Sequence, residues 1–297
     1  MKILIIGSMG FIGANAYDFF STYNDVWGAD VVESSKQNKY FLLQKHNTNY
    51  EYIFSENNFE ICINASGNGS VPISLNQPVF DFDLNVLNTL KILDAIRIHN
   101  PLCKFINISS AAVYGNPSVL PITENLPLKP MSPYGWHKLY SEQITKEYYY
   151  LYNLLTINLR VFSVYGEGLT KQLFWDTYQK CLRSKEIELF GSGNETRDFI
   201  YIADLIYAMQ IIIDHGLFNG EAVNVSSGIE TSIYEATNFF CQLIDKDIKI
   251  KFNKIIKPGD PINWRADINI ISDWGFKPKF SIQEGLKNTV KWLKEIN

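Results

Sequence analysis

Tyr134 and Lys138 stand four residues apart in the stretch MSPYGWHKLYSE at positions 131–142. On an α-helix this spacing puts both side chains on one face, one turn apart. A free phenol has a pKa near ~10 and is a poor base at neutral pH, whereas neighbouring positive charges favour the phenolate and lower that pKa. The pair is therefore either an acid–base couple or a surface aromatic beside a solvated lysine. Only the rest of the sequence can distinguish these two interpretations of the pair.

The composition is that of an ordinary globular protein. The chain has 297 residues, of which 46% are hydrophobic and 20% charged, enough for a sizeable core in one or two domains. A net charge of −4 without long basic runs argues against nucleic acid as a partner. No apolar run approaches the ~18 residues of a membrane span. We therefore expect no membrane-spanning segment and a cytoplasmic location.

The four cysteines have neither paired nor metal-like spacing. They are Cys62, Cys103, Cys181 and Cys241. Such thiols are typical of small core residues in a reducing compartment. We expect no metal site.

Short apolar runs alternate with helix-like segments through the first half of the chain. The predicted strands are Ile3 to Ile6, Asp25 to Asp30, 60–64, 104–108 and Leu154 to Val161, and the predicted helices are Phe11 to Phe20 and Val79 to Ile98. This alternation predicts βαβ units and a parallel sheet that is covered on both faces. Beyond about residue 165 the pattern loosens, which favours a smaller, loop-rich second lobe. Its predicted helices lie near 171–184, 203–214 and 281–295, and its strands near 187–190, 222–225 and 248–252.

The sequence GSMGFIG at 7–13 follows the first predicted strand and opens the first helix. Glycines let the backbone turn sharply here, so that a pyrophosphate can approach the free N–H groups and the positive dipole of the helix N-terminus. The contacts expected with a dinucleotide cofactor are Gly7, Gly10, Phe11, Ile12 and Gly13. The alternative is an ordinary strand–turn–helix connection that is rich in glycine.

Asp30 ends the second predicted strand, at about the distance from the glycine loop that is typical of an acid bonding the adenosine ribose. A carboxylate here favours a free 2′-hydroxyl and repels a 2′-phosphate, and no arginine or lysine follows before Lys36. These residues predict NAD rather than NADP. Asp30 by itself is also typical of a turn at the end of a strand.

Several stretches together resemble the extended short-chain dehydrogenases/reductases, in particular the NAD-dependent epimerase/dehydratase type that acts on nucleotide sugars. The matching stretches are GSMGFIG (7–13), INASG (63–67), DLNVLNTLKILDA (83–95), INISSAAVYG (106–115), SPYGWHK (132–138), NLRVFSVYG (158–166), GSGNETRDF (191–199) and KPGD (257–260). Their order and spacing are specific, although each alone is weak. The match is poorest over 34–58, where Asn47 is one of the polar candidates for contact with the adenine.

The resemblance implies a Rossmann-type, doubly wound parallel sheet with a smaller α/β lobe for the substrate. We expect residues 1–165 to bind NAD, with about 200–230 returning to that domain, and 166–297 to form mainly the nucleotide-sugar lobe. The implied catalytic residues are Ser110, Tyr134 and Lys138. Ala65 joins the cofactor contacts, together with Tyr134 and Lys138 themselves.

The residues after Ser110 narrow the reaction. The family's 4,6-dehydratases carry acidic residues there, whereas this chain has Ala111 and Ala112, which cannot transfer a proton. The leading hypothesis is therefore a nucleotide-sugar 4-epimerase that oxidises C4 transiently with tightly bound NAD. The alternative is a reductase of nucleotide-linked 4-keto-6-deoxy sugars, since the chain is somewhat short for the family's epimerases.

The resemblance also implies contacts with a nucleotide-diphosphate sugar. Arg197 corresponds to an arginine that grips the diphosphate, unless it pairs with Asp198 or Asp204 instead. The other expected substrate contacts are Ser74, Ser163, Lys257 and Arg265. Ser163 and Lys257 replace a common asparagine and arginine of the family, which leaves the sugar undetermined. We further expect a homodimer formed by helices at about 79–99 and 134–153, and Trp136 and His137 have no assigned role.

Overall fold

The computed structural model describes residues 1–45, 48–255 and 259–296. The strands are β1 (Lys2–Ile6), β2 (Asp25–Asp30), β3 (Tyr40–Leu42), β4 (Ile61–Asn64), β5 (Lys104–Ser110), β6 (Thr156–Val161), β7 (Ser163–Tyr165), β8 (Glu186–Leu189), β9 (Thr196–Tyr201), β10 (Asn219–Val225), β11 (Glu230–Ser232) and β12 (Lys249–Phe252). The helices are α1 (Phe11–Phe20), α2 (Glu51–Ser55), α3 (Val71–Asn76), α4 (Pro78–Phe82), α5 (Asn88–His99), α6 (Pro133–Tyr152), α7 (Gln172–Cys181), α8 (Ile202–His215), α9 (Ile233–Ile244), α10 (Asn269–Asp273) and α11 (Ile282–Glu295). A π-helical turn spans Asp83–Leu87, and a 3₁₀ turn spans Ala111–Tyr114.

Seven strands form one parallel sheet in the order β10-β6-β5-β4-β1-β2-β3. β1 lies inside this sheet, with β2 on one side and β4 on the other. The strand order therefore reverses at β1, and ligands of such sheets bind in the crevice at the carboxyl ends of the strands on either side of that point. The predicted Rossmann-type sheet is confirmed.

Alternating residues of β1 enter two separate apolar layers. Ile3 and Ile5 pack on one face with helices α1 and α8, whereas Leu4 and Ile6 pack on the other face with α2 and α5. All four side chains are buried, because helices cover both faces of the sheet. The continuous apolar run ILII at positions 3–6 results from this burial on both faces.

The remaining strands build two small sheets, one of order β11-β9-β7 and one of β12-β8. Helices α7, α9 and α11 pack beside them. Between these parts the chain returns to the large sheet, since β10 pairs in parallel with β6 and α8 packs against α1. The described chain therefore passes between the large and small sheets more than once.

Helix α6, which carries Tyr134 and Lys138, has strong signals at both ends. Ser132 caps its N-terminus by accepting a hydrogen bond from the backbone N–H of Gly135, and Pro133 occupies the first turn. Asn153 ends the helix in the left-handed conformation, at φ 56°. These caps fix where the helix starts, and with it the direction in which Tyr134 points.

One local prediction differs from the structure, and one contact between distant residues was not foreseen. The helix expected over 79–98 forms, but the π-helical turn at Asp83–Leu87 interrupts it. Cys181 and Cys241, which are remote in sequence, have their sulfurs 3.7 Å apart as free thiols. Tertiary packing between α7 and α9 produces this contact, so sequence spacing could not predict it.

Among residues 1–45, 48–255 and 259–296, no helix is both long and apolar enough to cross a bilayer. Within the same residues, no three His, Cys, Asp or Glu side chains come together in a cluster able to hold a metal ion.

Candidate active site

The glycine loop lies at the carboxyl end of β1, beside the point where the strand order reverses. Gly7 has a φ of 81° and donates to the carbonyl of Ala29 at the end of β2. A Cβ at Gly7 would stand 2.6 Å from the backbone nitrogen of Ser66, and one at Gly13 would overlap the carbonyl oxygen of Gly7. Ala65, whose N–H bonds the carbonyl of Ile6, therefore lies directly against the loop. Glycine is required here by close packing as well as by conformation.

Helix α1 starts at this loop with free N–H groups. Gly10 is the N-cap residue and has no side chain to satisfy them, and the first turn contains Phe11, Ile12 and Gly13. No acidic side chain lies in that turn. The helix therefore offers an unneutralised N-terminal dipole to an anion such as a pyrophosphate.

Asp30 lies at the end of β2 beside the same loop. Its carboxylate accepts hydrogen bonds from the N–H groups of Met9, at 2.9 Å, and Val31, at 2.7 Å. Gln37 supports the loop from outside by donating to the carbonyl of Ser8 at 3.0 Å. Asp30 thus lies next to the dinucleotide loop, as its distance in sequence predicts.

Alanine at Gly13 is expected to weaken NAD binding about 10- to 100-fold, because about 1–3 kcal/mol of overpacking strain enters the loop. Calorimetric titration of the purified variant with NAD measures this loss. Gly10→Ala is the matched control, because its Cβ would stand 3.3 Å from the same Gly7 oxygen and would require only a small adjustment. Equal losses in the two variants would contradict the steric explanation.

Ser110, Tyr134 and Lys138 come together at the carboxyl end of β5. Ser110 is the last residue of β5, and its side chain accepts a hydrogen bond from the N–H of Ala112 at 3.1 Å. Tyr134 lies in the first turn of α6. The ammonium of Lys138 lies 6.0 Å from the centre of the Tyr134 ring and donates to the carbonyl of Ile108 at 2.9 Å. The three residues therefore lie at the carboxyl edge of the large parallel sheet, the same edge from which the glycine loop leaves β1.

The pKa shifts of Tyr134 and Lys138 differ from those expected from neighbouring charges alone. Burial raises the pKa of Tyr134, and the Ser110 hydroxyl opposes that change. Burial also lowers the pKa of Lys138 to about 8, against the attraction of Asp81 and Glu142. The chain by itself therefore does not lower the pKa of the Tyr134 phenol, because desolvation outweighs the hydrogen bond.

Asn85 is a site residue that the sequence patterns did not single out. It lies in the π-helical turn with its side chain 2% exposed. Its Nδ2 donates to Asp81, whereas its Oδ1 is buried without a hydrogen-bond partner among the described residues. Gly67 is so close that a Cβ there would overlap this oxygen. An acceptor buried in this way can take a hydrogen bond from a bound ligand or an ordered water.

The model of the NAD dependent epimerase/dehydratase family matches residues 3–226. The chain belongs to this family. Membership of the NAD-dependent epimerase/dehydratase family confirms the predicted cofactor as NAD.

Relatives in the NAD-dependent epimerase/dehydratase family match the whole length of the chain. The chain is 32% identical in sequence to a putative UDP-glucose 4-epimerase of Methanocaldococcus jannaschii, with 99% of each chain covered. It is 29% identical to a UDP-glucuronate 4-epimerase of Thermodesulfobacterium geofontis, over 95% of this chain and 86% of that one. The solved UDP-glucuronic acid 4-epimerase of Bacillus cereus, in complex with UDP-glucuronic acid and NAD, has a TM-score of 0.91 at 26% identity and full coverage of both chains.

The features of an NAD site in this family are present in the chain. Gly7 and Gly13 pack so closely against backbone that neither admits a Cβ, α1 presents free N–H groups, and Asn85 offers a buried acceptor that is unpaired among the described residues. Gly7, Gly10 and Gly13 would hold the pyrophosphate, and Asp30 the adenosine ribose. The residues present therefore fit the family's cofactor.

The expected substrate residues lie in two places. Arg197 lies on β9, where it donates to the carbonyls of Thr196 and Ile262 and stacks 5.8 Å from the ring centre of Trp264. Ser163 lies on the neighbouring strand β7, and Arg265 follows Trp264 in a segment that bonds β9. Ser74 is fully buried in α3, and its hydroxyl donates to the carbonyl of Val71.

The two acids that could have neutralised Arg197 are engaged elsewhere. Asp198 accepts hydrogen bonds from Ser226, Ser227 and the N–H of Ala266. Asp204 accepts from the N–H groups of Lys279 and Phe280. Burial lowers the pKa of Arg197, against the attraction of Asp260 and Glu195. Lys257, and Asn47 near the expected adenine site, lie outside the described residues.

Proposed function

We propose that this protein is an NAD-dependent nucleotide-sugar 4-epimerase acting on a UDP-hexose. The observation that carries the proposal is the convergence of Ser110, Tyr134 and Lys138 at the sheet edge that also carries the glycine loop, with Ala111 and Ala112 directly after the serine. Relatives named as UDP-glucose and UDP-glucuronate 4-epimerases, matched over nearly the whole chain, support both the reaction and the nucleotide.

In this proposal Tyr134 removes the proton from the C4 hydroxyl of the sugar, and Ser110 bonds the reacting oxygen. When bound, NAD would supply the hydride acceptor and donor for C4, and its positive ring would favour the phenolate of Tyr134. Lys138 holds its ammonium against the carbonyl of Ile108, where it would bond the nicotinamide ribose. Tyr134 then returns the proton to the oxygen, which gives the C4 epimer.

The absence of acids beside Ser110 separates this reaction from sugar dehydration. Loss of water across C5 and C6 requires groups that take and give protons at those carbons. Ala111 is fully buried, and Ala112 is partly buried in the 3₁₀ turn that follows Ser110. Neither side chain can transfer a proton, so proton chemistry at this end of the site falls to Tyr134.

We propose that Arg197 binds the diphosphate, with Ser163 and Arg265 on adjoining segments and Ser74 and Lys257 as further substrate contacts. A guanidinium presents a planar fork that suits paired phosphate oxygens. Support comes from the partial burial of Arg197 and from its stacking on Trp264, which orients the side chain. In this division residues 1–165 with the returning β10 hold the cofactor, and the small sheets hold the nucleotide sugar.

The test is incubation of the purified protein with UDP-glucose, UDP-glucuronate and UDP-N-acetylglucosamine, without added NADH. We expect at least one sugar to be converted to its C4 epimer, detected by nuclear magnetic resonance of the isolated nucleotide sugar. dTDP- and GDP-hexoses serve as controls for the nucleotide. If all sugars return unchanged while a nucleotide-linked 4-keto sugar consumes NADH stoichiometrically, the protein is a reductase instead.

We further propose that the chain forms a homodimer through α4, α5 and α6. More than a third of the surface of each of several apolar side chains on these helices is exposed: Val79, Phe80, Phe82, Leu90, Ile98, Trp136, Tyr140, Tyr150, Leu151 and Tyr152. In the aromatic run YYYLY at positions 148–152, only Tyr148 is buried. Trp136 and Tyr140 form one aromatic patch, with ring centres 5.9 Å apart. An apolar surface of this kind is typical of a protein–protein contact.

Sedimentation velocity is expected to give the mass of a dimer for the wild-type protein and of a monomer for Trp136→Glu, because the introduced charge would be buried in the contact. Leu217→Glu is the matched control, since Leu217 is 69% exposed and lies outside these helices. A monomeric wild-type protein would contradict the proposed interface.

A further inference from the structure

Asp81 is a completely buried carboxylate next to the proposed acid–base pair. It lies in α4 with no exposed surface. One oxygen accepts hydrogen bonds from the Nδ2 groups of Asn68, at 2.5 Å, and Asn85, at 3.2 Å. The other lies 2.5 Å from Nδ1 of His137. A buried charge is costly unless its oxygens are bonded, and here three polar side chains bond them.

His137 connects this carboxylate to the helix that carries Tyr134 and Lys138. It lies in α6 directly before Lys138 and is itself buried, with its ring packed edge-on against Phe82. The position of Asp81 relative to α6 is therefore fixed by the same turn of helix that presents the tyrosine and the lysine. None of the proposed catalytic steps uses Asp81, His137 or Asn68.

We infer that Asp81 is the buried counter-charge of the Tyr134–Lys138 pair, and that His137 and Asn68 hold its carboxylate in place. Asp81 is a positioning residue, because it acts through the two side chains and does not itself contact the reacting atoms. This inference rests on the proposed epimerase function and deepens it by naming what sets the protonation of the pair.

The charge of Asp81 acts on both members of the pair in the same direction. It raises the pKa of the Lys138 ammonium, which burial lowers to about 8. It also raises the pKa of Tyr134, to which burial makes the larger contribution. A negative charge thus retains the proton on each group. Removing that charge should let both groups lose their protons at lower pH.

Other ionisable groups lie on α6 and on elements packed against it, and they remain when Asp81 is changed. They are His137, Tyr140 and Glu142 on α6, Asp83 in the π-helical turn, Tyr114 in the 3₁₀ turn and Arg160 on β6. Glu142 is neutralised by Arg160 at 2.8 Å, and Asp83 is exposed to solvent. Glu142 thus has an arginine as its counter-ion. Among the described residues, the Asp81 carboxylate forms no ion pair with a lysine or an arginine, and its ring partner is His137.

Asparagine at position 81 removes the charge and keeps the hydrogen bonds. Its Oδ1 can accept from Asn68 and Asn85 as the carboxylate does, and its Nδ2 can donate to Nδ1 of His137 when the ring takes the tautomer with its proton on Nε2. We expect Asp81→Asn to fold, to bind NAD, and to keep its rate at optimum pH within a few-fold of wild type. The acidic and the basic limb of its profile of kcat against pH should both move to lower pH by about one unit, which is the usual effect of a nearby charge.

Asp83→Asn is the matched control, because it removes an exposed carboxylate two residues further along. Solvent screens that charge, so its pH profile should coincide with that of wild type. The inference is overturned if Asp81→Asn lowers the rate without moving the limbs, which is the signature of a purely structural role. It is also overturned if Asp83→Asn moves the limbs equally.

A second measurement needs no substrate. The near-ultraviolet tyrosinate absorbance of each protein is titrated against that of its own Tyr134→Phe partner, so that the difference reports Tyr134 alone. The difference should appear at lower pH in Asp81→Asn than in wild type, and an unchanged titration would refute the inference. Failure of wild type to epimerise any sugar would instead refute the proposed function, and the absorbance titration would still decide the role of Asp81.

Discussion

Replacing Tyr134 with phenylalanine is expected to lower kcat by about 10³-fold, within the range that a positioned general acid–base group contributes. Among the described residues of the proposed site, the phenol is the group that we assign to take and return the C4 proton, since Ala111 and Ala112 follow Ser110. Phenylalanine preserves the ring that Lys138 approaches at 6.0 Å. The loss should therefore fall on kcat while the bound NAD content stays unchanged.

Tyr140→Phe is the control for this experiment. Tyr140 lies on the same helix but is 43% exposed, so removal of its hydroxyl should leave the rate within about twofold of wild type. Rates are measured at several pH values, because the remaining activity of Tyr134→Phe should lose the dependence on phenol ionisation. A rate close to wild type for Tyr134→Phe would show that another group transfers the proton.

Leucine at Glu142 is expected to destabilise the fold by about 3–5 kcal/mol, because it leaves the Arg160 guanidinium buried without its counter-ion. The two side chains are 4% and 7% exposed, and Arg160 reaches both oxygens of the carboxylate. Ser109, beside the proposed catalytic Ser110, donates to Glu142 at 2.5 Å. Burial opposes the charge of Arg160, but the Glu142 carboxylate outweighs it and raises the pKa of the guanidinium.

Urea unfolding measures this loss, and a solvent-exposed pair provides the comparison. Lys146 on α6 and Glu221 on β10 approach to 2.8 Å with side chains 38% and 51% exposed. Breaking that pair with Glu221→Leu should cost less than about 1 kcal/mol. The double variant Glu142→Leu/Arg160→Met should regain part of the stability, because no unpaired charge remains. Similar losses in Glu142→Leu and Glu221→Leu would contradict the importance of burial.

The central sheet could be predicted because its strands are buried on both faces. Such strands appear as continuous apolar runs, and the bounds predicted for α1 and β2 agree with the structure. Short strands whose pairing depends on distant segments carry no such run. β3, β7, β9 and β11 were missed for this reason. Helix α9 was also missed, although Ser232 and Glu235 form a capping box that marks its start.

The proposed site could be predicted only where a residue type has a known partner at a fixed spacing. Gly7, Gly13 and Asp30 follow from the chemistry of dinucleotide binding, and the structure brings them together. Asp81 and Asn85 belong to a helix whose pattern indicates amphipathic packing. Which of its polar side chains become buried depends on how that helix meets α6, and this is settled by tertiary structure.

The return of β10 to the large sheet has a practical consequence for dissecting the molecule. A fragment that ends near residue 165 retains six of the seven strands of the large sheet but lacks β10. It therefore exposes one edge of β6, a strand whose residues are all buried in the intact chain. Its unpaired backbone edge would be exposed, and such edges invite pairing between molecules. Expressed separately, the cofactor-binding half would thus tend to aggregate, and the two halves are better studied together.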